Sequence, residues 1–150
     1  MYRDLVLWAD VVLIATPIRW GAASSLYYKM VERFNSIENQ ITLHDRVLVK
    51  NKVAGFIVTG GQDNVQQVAG SMMMFFTQLG FALPPMAFSG WSRGWTAEDT
   101  EHNTQEFKQS KYVQRSVKEL TDNCVHLLKQ LKAKPADDLG TPQPKRSEAD

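Results

Sequence analysis

Two short stretches hold the residues whose types and spacing suit chemistry. One is Thr16 to Ala23, which follows the apolar run Val11 to Ala15; the other is Gly60, Gly61, Gln62, Asp63 and Asn64, which follows Val53 to Thr59. In the second stretch, two adjacent glycines permit backbone angles closed to other residues and leave amide groups exposed to meet ring oxygens and nitrogens. In the first, Ile18, Arg19 and Trp20 are of the types that cover an aromatic face or edge. Together they suit a flat ligand with polar edges, bound and tuned by the protein while the ligand itself carries the electrons.

Other chemistries find little support. His44, His102 and His126 are isolated and Cys124 is the one cysteine, so no metal-ligand spacing is present and no metal is expected. Ser24 and Ser25 read as helix caps, and no Gly-x-Ser-x-Gly elbow marks a hydrolase. Neither the Gly-x-x-x-x-Gly-Lys-[Ser/Thr] phosphate loop nor the Gly-x-Gly-x-x-Gly fingerprint occurs, which disfavours kinases and simple Rossmann dehydrogenases. A formal net charge of +1 over 150 residues gives no electrostatic reason to expect a nucleic-acid partner. No run approaches the roughly 20 apolar residues of a membrane span, so no membrane partner is expected. A single cysteine cannot form an internal disulfide, which fits a cytoplasmic location.

The elements that must position the two stretches follow from periodicity. At 43% hydrophobic and 22% charged, the chain is long enough for one domain with a real core. Met1 to Asp10 resembles the last turns of an amphipathic helix. Val11 to Ala15 predicts a strand, and Leu26, Met30, Phe34 and Ile37 predict a helix capped by Ser24 or Ser25. Arg46 to Val49 is a possible extended piece before a turn at Lys50 to Lys52. Val53 to Thr59 is a β-branched strand with Gly55 where a neighbour approaches closely. Val65, Val68, Ala69, Met72, Met73, Phe76 and Leu79 hold one face of a helix that Gly80 stops, with Asp63 or Asn64 as its cap. The run Met72 to Phe76 is assigned to core or subunit packing. Met86 to Ser89 predicts a third strand, and Gly90 to Trp95 a loop that serves as lid, subunit contact or packed surface. Val113 to Leu131 predicts a last helix with Cys124 on its apolar stripe, hence an inert buried thiol. Residues 1–132 form the expected domain and residues 133–150, nearly devoid of apolar side chains, an expected disordered tail. Strands alternating with helices predict an α/β fold with a parallel sheet, in which both stretches lie at the carboxyl ends of strands, where ligands bind. A flavin is the natural candidate ligand.

The segment ADVVLIATPIRWGAASSLYYKMVERF resembles the third strand, its loop and the following helix of the flavodoxin-like NADPH-dependent FMN reductase family, which includes the multimeric flavodoxin-type quinone reductases. The segment KVAGFIVTGGQDNVQQVAGSMMMFFTQLGFALPP resembles that family's fourth strand, second flavin loop and fourth helix. The pair, in the right order and spacing, is far more specific than either alone. The resemblance implies a three-layer αβα fold with sheet order 2-1-3-4-5 and FMN at the switch point. It implies that Thr16, Pro17, Ile18, Arg19, Trp20 and Gly21 border the isoalloxazine and that Thr59, Gly60, Gly61 and Gln62 contact its pyrimidine side. The implied reaction takes hydride from NAD(P)H and passes electrons to a quinone, free flavin, iron centre or similar acceptor. No side chain need act as acid or base, so no catalytic residue is assigned. A homo-oligomer is expected.

One departure accompanies the match. The sequence has no counterpart of the family's first strand, Ser/Thr-rich phosphate loop and second strand, so the strands expected are the third, fourth and fifth of an N-terminally truncated unit. The third strand's edge would then lie open. An FMN-dependent NAD(P)H oxidoreductase is the first functional expectation. The alternative is a noncatalytic flavodoxin-like remnant or interaction module, assembling through that edge and the Met-rich helix without binding FMN tightly. A receiver-like signalling domain would share the fold, but the acidic cluster of such domains is missing.

Overall fold

The computed structural model describes residues 7–60, 64–92 and 108–133. Its elements in chain order are β1 (Val11–Arg19), β2 (Ala22–Ala23), α1 (Ser25–His44), β3 (Val53–Gly60), α2 (Val65–Gln78), β4 (Phe88–Ser92) and α3 (Lys111–Ala133). The sheet order is β2-β1-β3-β4. β1, β3 and β4 run parallel, with Val11 opposite Val53 and Phe56 opposite Phe88, whereas β2 folds back antiparallel onto the end of β1. The expected run of three consecutive parallel strands is therefore present, with a two-residue strand added on its β1 side.

The period-two alternation of β3 explains the layers. Ala54, Phe56 and Val58 point into a core shared with Phe34 and Ile37 of α1 and Val68, Met72 and Phe76 of α2. Val53 and Ile57 point the other way, toward Leu120, Cys124 and Leu127 of α3. Phe76 is the hub of the first core, its ring centroid 5.2 Å from Phe56, 6.0 Å from Phe34 and 5.1 Å from Phe81. The pairs with Phe56 and Phe34 are edge-to-face and that with Phe81 is tilted, and aromatic pairs of this kind add roughly 0.5–1.5 kcal/mol each beyond area burial. On the second face, a Cβ at Gly55 would lie 2.9 Å from Leu13 Cδ2 and 3.0 Å from both Leu120 Cδ1 and Cys124 Sγ. Glycine at this position is what lets α3 settle onto β3.

Several boundaries differ from the sequence expectation. α1 runs on past Ile37 to His44, where Asp45, at φ 49°, closes it as its amide donates to Ile41 O and the Arg46 amide donates to Gln40 O. Arg46 to Val49 is no strand; turns close from Lys50 N–H to Val47 O and from Lys52 N–H to Val49 O, and Val49 is fully buried. β4 begins at Phe88 instead of Met86, because Met86 sits at φ 57°, outside the extended region. Gly90 and Trp91, expected in a loop, belong to β4 and pair with Val58 and Thr59. Leu7 and Trp8 are helical, as the amphipathic start predicts, while Met1 to Val6 lie outside the described residues. So do Arg93 to Trp95 of the tryptophan loop and everything beyond Ala133, including the expected tail.

Candidate functional site

The first site stretch is strand for longer than expected. β1 continues through Thr16, Pro17, Ile18 and Arg19, and the chain then reverses across Trp20 and Gly21 so that Arg19 faces Ala22 and Ile18 faces Ala23. A two-residue hairpin turn of this kind needs both central residues in the left-handed region. Trp20 at φ 51° and Gly21 at φ 75° provide it. Glycine does so freely; tryptophan holds the angle at a cost of about 1–2 kcal/mol.

Pro17 stops the hairpin pairing, since it has no N–H to give. The Ser24 amide turns instead to Thr16 Oγ1 at 3.0 Å, and Thr16 Oγ1 in turn lies 3.3 Å from Ser24 Oγ and 3.1 Å from Pro17 O. Ser24 is the N-cap of α1, its hydroxyl accepting from the Tyr27 amide at 3.4 Å. Thr16 thus fastens the end of β1 to the start of α1. Thr16 and Ile18 face inward and are buried, whereas Pro17, Arg19 and Trp20 face solvent, Trp20 being 91% exposed. Arg19 is the one charged side chain among the sequence-derived site residues.

The second stretch lies alongside. Thr59 pairs with Pro17 on one side and with Trp91 on the other, and Gly60 pairs with Ser92. A Cβ at Gly60 would fall 2.7 Å from Ile18 Cβ, so the close approach of the two strand ends requires glycine here. Gly61 and Gln62 lie outside the described residues. Beyond them Asn64, at φ 84°, occupies the cap position of α2, but its side chain makes no cap bond; Nδ2 points to Gly21 O at 3.5 Å. Asn64 therefore ties the second loop to the hairpin of the first. Sequence reasoning saw in Asn64 only a helix cap; an asparagine following two glycines, a type that tolerates left-handed backbone, was the available signal.

Tyr27 supports the hairpin from below. It is buried beside a cavity of about 270 Å³ bordered by Gly21, Ala23, Val31, Val68 and Phe75. Burial first, and the neighbouring Tyr28 second, push its phenol up to about 12. Burial likewise raises the Cys124 thiol, which fits the inert role expected of it. Among the described residues no group of three or more His, Cys, Asp or Glu could hold a metal ion, and no helix is long and apolar enough to cross a membrane.

The candidate residues Thr16 to Gly21, Thr59 and Gly60 are thus gathered at the carboxyl ends of two adjacent parallel strands. The model of the NADPH-dependent FMN reductases matches residues 1–96, which takes in both stretches. The chain belongs to that family. Among curated proteins, this family member is similar to the 8-demethyl-8-aminoriboflavin-5'-phosphate synthase of Streptomyces davaonensis, 31% identical over 83 residues, which are 55% of this chain and 32% of that protein. It is also similar to a divalent metal cation transporter, MntH, of Mycobacterium bovis, 28% identical over 91 residues, 61% of this chain and 13% of that protein. Among solved structures, RosB with its bound intermediate 8-demethyl-8-formylriboflavin-5'-phosphate superposes with a TM-score of 0.73 at 20% identity, over 98% of this chain and 64% of that one. That superposition shows a shared flavodoxin-like fold. The chain spans less than two thirds of each of these proteins.

Proposed function

We propose that this FMN reductase family member binds FMN across the ends of β1 and β3 and serves as an NAD(P)H-dependent oxidoreductase toward a quinone, flavin or similar acceptor. The observation that carries this is the joining of the two loops: Pro17 opposite Thr59, Gly60 packed against Ile18, and Asn64 reaching Gly21. The strand ends meet closely enough for a flat ring to lie across both.

The residues present fit a flavin ring. When bound, FMN supplies the electron-carrying chemistry, taking reducing equivalents from the nicotinamide and yielding them to the acceptor. Pro17, Arg19 and Trp20, facing solvent on the first strand end, border the ring, with the Arg19 guanidinium available to its polar edge. Gly21 turns the chain so that Trp20 stands clear of the core. Thr59 and Gly60, continued by Gly61 and Gln62, offer the second edge. Thr16 and Ile18 act from beneath, Thr16 by holding the strand end in place and Ile18 by filling the space beside Gly60. The related synthase, named for a riboflavin phosphate, and RosB, solved with a riboflavin-phosphate intermediate bound, support a flavin phosphate as ligand.

The deciding experiment is a titration of FMN into the 150-residue chain followed by flavin fluorescence. Saturable quenching is expected, weakened by Trp20→Ala and Arg19→Ala. No quenching at tens of micromolar would overturn flavin chemistry by this polypeptide on its own. One observation favours a second role as an assembly module. The Val53 amide donates to Asp10 O at 2.9 Å, so by alternation the backbone groups of Val11, Leu13 and Ala15 point away from β3, where β2 reaches only Ile18 and Arg19. Among the described residues no other strand lies along that part of β1, and an edge so placed favours strand pairing with another chain, including a second copy. Sedimentation of the flavin-free chain read together with the FMN titration distinguishes the two, since assembly without any flavin quenching is expected of the module alone.

A further inference from the structure

One side of β1 is given to β3; the other, among the described residues, meets a strand only at Ile18 and Arg19, where β2 lies. Since the Val53 amide donates to Asp10 O, Val12 and Ile14 turn their backbone groups toward β3, and Val11, Leu13 and Ala15 turn both N–H and C=O outward. The stretch Val11 to Ala15 carries none of the devices that keep an edge from pairing: no charge, no proline, and an unbroken register with β3 that leaves no bulge. Its side chains are open as well. With α3 settled over β3, Leu13 is 41% exposed and Ala15 is exposed. Two features bound the stretch. At its carboxyl end the hairpin at Trp20 and Gly21 sets β2 on the edge. At its amino end Lys52 Nζ donates to Leu7 O at 3.4 Å and to Ala9 O at 2.7 Å. Lys52 directly precedes Val53, the partner of Val11, so the incoming chain is drawn to the β3 side and off the edge.

We propose that this edge pairs antiparallel with the same edge of a second copy, each Leu13 opposite its counterpart and each Val11 opposite the Ala15 of the other copy. The stretch is complementary to itself, which is what selects a second copy. In this register every outward N–H and C=O of Val11, Leu13 and Ala15 meets a complementary group, and the two Leu13 side chains, with Cα atoms about 5.5 Å apart, cover one another. Sliding one pleat repeat in one direction sets Val11 opposite Pro17, which has no N–H to give, and pushes the second strand toward β2. Sliding the other way sets Ala15 opposite Ala9, whose carbonyl Lys52 already holds. In the matched register β2 of one copy faces Leu7 and Trp8 of the other, which have left the edge, so the hairpin has room. A two-fold axis at the Leu13 pair closes the assembly at two copies, because each spends its open stretch on the other. The proposal rests on the assembly role given above, for which it names partner and register, and is independent of flavin binding.

The test is sedimentation equilibrium of the flavin-free 150-residue chain, joined to cross-linking with a short bismaleimide. A monomer–dimer equilibrium in the micromolar range is expected. Ala15→Pro removes an outward N–H and leaves the bonds to β3 in place, and Leu13→Lys sets like charges opposite one another at the axis. Each is expected to weaken the dimer by about tenfold or more, with circular dichroism unchanged for Ala15→Pro. Leu13→Cys is expected to cross-link to its counterpart, and Met74→Cys, exposed on α2, is not; the native Cys124 is buried. Growth past two copies, or cross-linking at Met74→Cys and not at Leu13→Cys, overturns the proposal. A dimer that both edge variants leave intact overturns it too, moving the interface to another face while the assembly role stands. A chain that stays monomeric at about a hundred micromolar overturns the proposal and self-assembly together, leaving the edge to a strand of another polypeptide.

Discussion

Replacing Trp20 by asparagine is expected to make the protein more stable and a poorer flavin binder at once. Trp20 holds φ 51° in the hairpin turn while 91% of its surface faces water, so its side chain gives the fold almost no burial in return for the strained angle. Asparagine visits the left-handed region readily, and relieving the strain is worth about 1 kcal/mol of the 1–2 kcal/mol that a bulky residue spends there. For a chain of about this size that raises Tm by roughly 2–4 °C. The same change removes the aromatic ring proposed to border the isoalloxazine. An aromatic contact of about 0.5–1.5 kcal/mol corresponds to roughly a two- to tenfold loss of FMN affinity. Urea unfolding followed by circular dichroism measures the first effect and flavin fluorescence titration the second. Gly21→Ala is the companion: at φ 75°, with its new Cβ 2.8 Å from Asn64 Nδ2, it is expected to destabilise by about 1–2 kcal/mol. A lower urea midpoint for Trp20→Asn, or no change for Gly21→Ala, would refute the assignment of a left-handed two-residue turn to this tip.

Gly55→Ala places a methyl against the tips of Leu13, Leu120 and Cys124 and is expected to cost about 1–3 kcal/mol in urea unfolding, the range for an overpacked core. Thr16→Val keeps the shape but leaves the Ser24 amide without its 3.0 Å acceptor, with an expected loss of about 1–3 kcal/mol, while Thr16→Ser retains most of the wild-type stability. Tyr27 gives an alkaline signature. Its folded pKa of about 12 exceeds the ordinary 10.0, so above pH 10 the unfolded chain loses a proton that the folded chain keeps, and stability falls between pH 10 and 12. The expected drop is on the order of 2 kcal/mol, and Tyr27→Phe removes that part of the slope in unfolding curves taken across the window. Cys124 is expected to resist a thiol reagent until urea unfolds the chain, because it is fully buried and its thiol is held up by desolvation. Rapid labelling of the native protein would contradict its placement beneath α3.

The two candidate stretches were legible as strand ends because their signals are local: an apolar run meeting Thr and Pro, and a β-branched strand ending in two glycines. Their placement side by side was read from the alternation of strands and helices and from the family resemblance, but the contacts that join them, Pro17 opposite Thr59 and Gly60 against Ile18, were not, since they depend on parallel register between segments some forty positions apart. The core stripes of α2 and α3 were readable for the same local reason, with Val68, Met72 and Phe76 buried on one helix and Val113, Leu120 and Cys124 on the other. The missed boundaries share a cause as well. The end of α1 is largely polar, with Ile41 alone carrying the apolar step on from Ile37, and Asp45 at φ 49° closes it as helix; a left-handed Met86 delays β4 with no glycine to announce it. The hairpin at Trp20 and Gly21 was hidden because tryptophan is an unusual occupant of a turn position that asparagine usually takes.

The Thr16 to Ser24 fastening separates two properties that are commonly entangled in a binding loop. Apart from the left-handed turn at Trp20 and Gly21 and its tie to Asn64, what fixes the path of the chain lies below the tip, in the hydroxyl of Thr16, the cap at Ser24 and the close fit of Ile18 to Gly60. The two side chains proposed to meet a ligand, Arg19 and Trp20, are exposed above it and carry almost none of the packed core. Side chains at these two positions can therefore be exchanged with little change to the packing beneath, so on the proposed reading the tip is the place where ligand preference could be retuned.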